Sequence, residues 1–184
     1  MLRNTLDAWG APAKFLHWVM AALILAQIPL GLAAAGWRVS PTKLELFVWH
    51  KSFGMLILLL VALRFAWRVA NPTPALPDGM PAWERAAARA SHVLLYVLMF
   101  ALPVTGWIIN SATNIPFRIF WLVPLPPIVA PDKAVADFFA LVHGGLAATL
   151  AAVLVAHVGA ALRHHLVKRN AELARMLPGT RRAP

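Results

Sequence analysis

Residues 135–162 read VADFFALVHGGLAATLAAVLVAHVGAAL. The run is long enough to cross a bilayer, whose hydrocarbon core takes about 20 apolar residues. It holds two histidines, His143 and His157. Ionisable side chains within a membrane helix are costly and usually functional. At about 1.5 Å per residue and 3.6 residues per turn, their spacing in the chain is about 21 Å and about four turns. Both imidazoles therefore leave one face of the helix, one towards each membrane surface.

Three further runs have the same character: Phe15 to Ala35, Leu44 to Trp67 and Ser91 to Ala112. Pro29 and Pro103 fall inside the first and third, which membrane helices tolerate. The chain of 184 residues is 60% hydrophobic and 13% charged, too little charge to cover a water-soluble globule of this size. The sequence thus predicts an all-α, integral membrane four-helix bundle as one domain over residues 1–184, ending in a tail from 163 to 184. The first apolar run is long enough to remain as a helix instead of being cleaved as a leader. Between the second and third runs lies Asn71-Pro-Thr-Pro-Ala-Leu-Pro, a stiff turn. Ile115 to Pro131 is apolar but broken by proline, and reads as a segment lying in the membrane interface or capping the bundle.

The net charge is +10. Its bases flank the apolar runs and form no stripe, which argues for a lipid partner and against nucleic acid. Twelve Lys and Arg fall with the two termini and the Asn71 turn, including Arg3, Arg64, Arg85, Arg163 and Arg181. Five fall on the other side: Arg38, Lys43, Lys51, Arg118 and Lys133. The positive-inside rule then places both termini in the cytoplasm.

No cysteine is present, which removes disulfides, iron–sulfur clusters and covalently attached haem. Histidines are left as the strong ligands. With the first run heading outward, His17 lies at the depth of His157; with the second returning, His50 lies at the depth of His143. Two stacked bis-histidine pairs result, the arrangement that holds two b-type haems. Gly31 lies about four turns beyond His17 on its own face, and Gly54 one turn beyond His50. Either could make room for a porphyrin or simply let helices pack. Arg64, about four turns beyond His50, could pair with a haem propionate or snorkel to the headgroups. His92 opens the third run near the inner pair, as an alternative ligand or as a neighbour. His164 follows His157 by two turns and could carry protons or be a solvated tail residue. With both axial positions filled by histidine, the chemistry expected is outer-sphere electron transfer and not oxygen activation. A histidine-bearing transporter is the competing class, weakened by the scarcity of intramembrane acids.

Phe15-Leu-His-Trp, Trp49-His-Lys-Ser-Phe-Gly, Arg64-Phe-Ala-Trp-Arg, Asn71-Pro-Thr-Pro, Ser91-His-Val-Leu-Leu-Tyr, Ala101-Leu-Pro-Val-Thr-Gly, Val142-His, Ala156-His, Arg163-His-His and Arg175-Met-Leu-Pro together resemble the prokaryotic cytochrome b561 family of four-helix dihaem membrane proteins. The resemblance covers nearly the whole chain. It implies His17 with His157, and His50 with His143, as axial haem and iron ligands, and a quinone as electron partner in the bacterial inner membrane. One branch of the family looks like superoxide oxidase, which takes electrons from superoxide at the periplasmic face and reduces ubiquinone; the position matching His164 there lies by the quinone. The alternative is a haem b subunit passing electrons between quinone and a periplasmic dehydrogenase or reductase, such as a hydrogenase.

Overall fold

The computed structural model describes residues 1–76, 79–170 and 172–177. Four long helices carry the chain: α1 (Ala11–Gly36), α2 (Pro41–Val69), α3 (Ala82–Ala112) and α4 (Lys133–Leu166). Each is long and apolar enough to span a membrane. A two-stranded hairpin, β1 (Arg118–Ile119) with β2 (Val123–Pro124), joins α3 to α4, and a short helix α5 (Glu172–Met176) follows α4.

The helix starts are set by local chemistry. Pro12 and Pro41 occupy the first turns of α1 and α2, where a missing N–H costs nothing. Ser40 caps α2 by accepting from Lys43 N, and Asp132 caps α4 by accepting from Ala134 N and Val135 N. Every helix starts before the bound expected from its apolar run. The largest extension is at α3, which begins well before Ser91, at Ala82. The Ala-rich stretch from Ala82 to Ala90 is a good helix former, but its Glu and two Arg lower its hydropathy below that of the run it continues into.

Neighbouring helices pack in chain order, α1 on α2, α2 on α3 and α3 on α4. Their shared core is Met20, Ile24, Ile57, Val61, Leu95, Leu98, Met99 and Leu150. Ile24, Ile57 and Leu150 each lie two turns from a histidine of their own helix, so the core forms an apolar layer midway between two histidine levels. The outward faces carry residues such as Leu25, Leu59, Leu141 and Val155, all exposed, as lipid contact requires.

The end of the bundle that carries the N-terminus is tied together by backbone. Buried Asn4 donates to Pro72 O and accepts from Gly10 N, and Ala75 N donates to Leu6 O. The tail turns back beneath α1: Trp18 Nε1 donates to Met176 O at 2.8 Å, Lys14 Nζ to Leu177 O, and Arg175 Nη1 to Ala75 O. The sequence gives no sign of this return. Arg181, Arg182 and Pro178 lie outside the described residues.

At the opposite end the proline-rich segment is a hairpin that caps α2. Phe120 and Trp121 hold left-handed backbone, with φ of 47° and 62°, uncommon for bulky residues. The turn is held because Phe120 N donates to fully buried Ser52 Oγ at 2.8 Å. Its aromatic rings pack on Trp49 and Phe53, which flank His50 on α2.

Candidate functional site

The helices bring the histidines together in two pairs. His17 of α1 faces His157 of α4 with ring centroids 6.4 Å apart, and His50 of α2 faces His143 of α4 at 6.3 Å. A metal–imidazole bond is about 2.0 Å, and the ring centroid lies about 1.1 Å beyond the nitrogen, so two imidazoles sharing one metal have centroids about 6.2 Å apart. Both pairs have the separation that an iron between them requires. Among the described residues, no group of three or more metal-ligating side chains converges on one point. Two facing imidazoles suit a macrocycle that brings four nitrogens of its own.

Buried polar atoms without a protein partner among the described residues fit the same reading. His50 Nδ1 and Gln27 Oε1 lie at the level of the His50–His143 pair, and Trp67 Nε1 towards the end that carries the N-terminus. Gln27 ties α1 to α2 at this level by donating from Nε2 to His50 O at 2.8 Å.

Gly31 is at the depth expected, and what it accommodates is the His50 ring: a Cβ there would lie 2.7 Å from His50 Cε1. A Cβ on Gly54 would meet only Gln27 Nε2, at an ordinary 3.6 Å. Arg64 is half-buried and turned into the bundle. Its Nη1 donates to Ala13 O at 2.8 Å, one turn before His17. His92 packs against His157 with centroids 5.6 Å apart. Of the two separations at His157, the one to His17 matches a shared metal.

His164 points back into the protein, with a side chain 14% exposed, whereas His165 is exposed. Asn170 Nδ2 donates to His164 Nδ1 at 2.8 Å. That leaves His164 Nε2 as the N–H, 3.6 Å from Glu84 Oε2. Glu84 is buried in the first turn of α3 and receives Lys168 Nζ on both oxygens and Arg163 Nη1 on one.

Sequence reasoning missed Glu84, Gln27 and Thr105. A lone acid in an Ala-rich helix start is a signal for the first. Thr105, buried in α3, lies 2.9 Å through Oγ1 from His143 Nδ1; a hydroxyl inside an apolar run is a signal for it.

The model of the family described as prokaryotic cytochrome b561 matches residues 8–179. Cytochrome b561 homolog 2 of Escherichia coli (strain K12) is 34% identical, covering 95% of this chain and 93% of the relative. Cytochrome b561 homolog 1 of the same organism is 27% identical over 89% of this chain and 93% of its own. A protein named probable superoxide oxidase CybB, from Yersinia pestis, is 28% identical over 90% of this chain and 93% of its own. Four apolar spans, paired histidines and a match over nearly the whole length agree: the chain belongs to the prokaryotic cytochrome b561 family, multi-pass membrane proteins that bind haem b and transfer electrons.

Proposed function

We propose that this protein holds two b haems, one between His17 and His157 and one between His50 and His143, and moves electrons from superoxide at the periplasmic face of the inner membrane to ubiquinone at the cytoplasmic face. The observation that carries the reading is the pair of facing histidines at 6.4 and 6.3 Å, repeated on one face of α4 about four turns apart. When bound, the haems supply one-electron redox centres at two depths. The chain's own residues hold those centres and shield them. His17 with His157 and His50 with His143 would hold the haems through their imidazole nitrogens, Gly31 gives the His50 ring its space, and Arg64 sets a positive charge beside the inner pair.

The overall reaction takes one electron from each of two superoxide anions, releasing dioxygen, and gives both electrons with two protons to ubiquinone. The distribution of Lys and Arg supports a cytoplasmic position for both termini. His164, with its Nε2 proton facing Glu84, then stands on the side where quinone takes up protons. Superoxide as donor is supported by the relative named probable superoxide oxidase. The outer surplus of bases over Glu45, Asp132 and Asp137 also supports it, because a positive field steers a small anion.

A second reading is a membrane subunit that exchanges electrons with a periplasmic partner protein. It is favoured by the outer hairpin, which exposes Trp121, Leu122 and Val123 beside the outer pair.

The test is to purify the protein in detergent and record oxidised and reduced spectra with a haem count, then repeat with His143→Ala and His157→Ala. Two low-spin b haems are expected, with each variant losing a different one. One haem indifferent to both substitutions would sink the paired-ligand reading. Superoxide-driven quinone reduction by the isolated protein separates the two donors.

A further inference from the structure

The four facing histidines differ in what stands behind them. His143 Nδ1 lies 2.9 Å from Thr105 Oγ1. The same hydroxyl oxygen lies 2.8 Å from Leu102 O and donates to it. A threonine hydroxyl has one hydrogen, and a backbone carbonyl can only accept. That hydrogen is engaged by Leu102 O, so what Thr105 turns towards the ring is a lone pair. His143 must therefore carry its proton on Nδ1, which leaves Nε2 as the bare nitrogen.

Burial makes the arrangement firm. Thr105 is 7% exposed, so bulk water does not compete for its oxygen. The next residue is Gly106, where a Cβ would sit 3.5 Å from His143 Cε1, an ordinary contact distance; α3 lies along the edge of the imidazole. His50, across the same level, has no such support among the described residues: its Nδ1 is buried and without a partner.

We propose that Thr105 is the positioning residue of the outer site. It fixes the His143 tautomer and, by accepting from Nδ1, makes Nε2 a stronger donor. The proposal rests on the reading of His50 and His143 as a haem-holding pair. A hydrogen-bonded ligand imidazole is more basic and favours the more positive metal, so Thr105 holds the midpoint potential of one haem below the value an unsupported ring would give.

Potentiometric titration of the purified holoprotein, followed in the visible spectrum, tests this with Thr105→Val, which keeps the shape and removes the hydroxyl, and Thr105→Ser, which restores it. In Thr105→Val one haem is expected to gain up to tenfold in preference for the reduced state, an upward shift of up to about 59 mV for a one-electron couple. The other haem stays at its wild-type value, and Thr105→Ser returns both to wild type. Should the valine variant not assemble, Thr105→Ala carries the same expectation. Two haems at unchanged midpoints in Thr105→Val would overturn the assignment, as would a serine variant shifted as far as the valine. The underlying reading fails differently: His143→Ala would then keep its full haem count, whatever Thr105 does.

Discussion

Lys168 Nζ reaches both carboxylate oxygens of Glu84, at 2.6 and 2.7 Å. The contact joins the chain just beyond α4 to the first turn of α3, and it sets the position of the residues between. Arg163 adds a third hydrogen bond to the same carboxylate. A buried acid is tolerated only when paired in this way.

Replacing Glu84 with Gln removes the charge that holds these cations. The segment after Leu166 is expected to loosen, with Asn170 no longer fixed on His164. Limited proteolysis and hydrogen exchange of residues 164–170 should report markedly faster opening, with Tm lower by a few degrees and the haem count unchanged. Wild-type protection of that segment in Glu84→Gln would show that the latch is not what holds it.

Gly31 and Gly54 should respond oppositely to the same added methyl. At Gly31 it would fall 2.7 Å from His50 Cε1, a distance that forces the ring to move. Gly31→Ala is therefore expected to lose or shift one haem and spare the other. At Gly54 the methyl meets Gln27 at 3.6 Å, ordinary contact, so Gly54→Ala should keep both spectra. A Gly54→Ala variant that lost a haem would mean that this position makes room for the cofactor itself.

Arg64 contributes charge as well as a bond to Ala13 O. Removing a positive charge beside a redox centre favours its oxidised form. Arg64→Gln is expected to lower the midpoint of the inner haem by tens of millivolts, where about 59 mV is a tenfold change, and to leave the outer one in place. Redox titration of the variant decides it. Equal shifts of both haems would assign Arg64 a general structural role.

Ser52→Ala takes the acceptor from Phe120 N, a backbone group held in left-handed conformation at the hairpin. An unsatisfied buried N–H costs about 1–3 kcal/mol, and here the cost should appear locally. Faster hydrogen exchange confined to residues 118–124 is the expected outcome. Unchanged exchange there would mean that the aromatic contacts to Trp49 and Phe53 suffice alone.

The spans are legible in the sequence because length and hydropathy alone determine them. The facing of His17 with His157 and of His50 with His143 is legible too, because depth in a helix is arithmetic on residue number. What is not legible depends on neighbours that the chain brings from elsewhere. Glu84 looks like a solvated charge until Lys168 and Arg163 arrive from α4 and its continuation. Thr105 looks like a tolerated hydroxyl until His143 is placed beside it. The hairpin escapes because Phe120 and Trp121 are poor residues for left-handed backbone, and only Ser52 and the aromatic cluster make the conformation hold. The early start of α3 escapes because hydropathy reports the membrane and not the helix.

The apolar layer of Ile24, Ile57 and Leu150 has an electrical meaning. It places a low-dielectric slab between the two histidine levels, with no ionisable side chain in the buried cluster. A negative charge sent inward through it crosses a layer whose buried side chains offer no proton-binding group. Such a transfer is electrogenic: one electron crossing the whole membrane does work of about 2.3 kcal/mol against each 100 mV of inside-negative voltage. In the direction proposed above, turnover in sealed vesicles should therefore slow as the membrane is energised and recover when an ionophore collapses the voltage, making the protein's rate a readout of the state of the membrane that contains it.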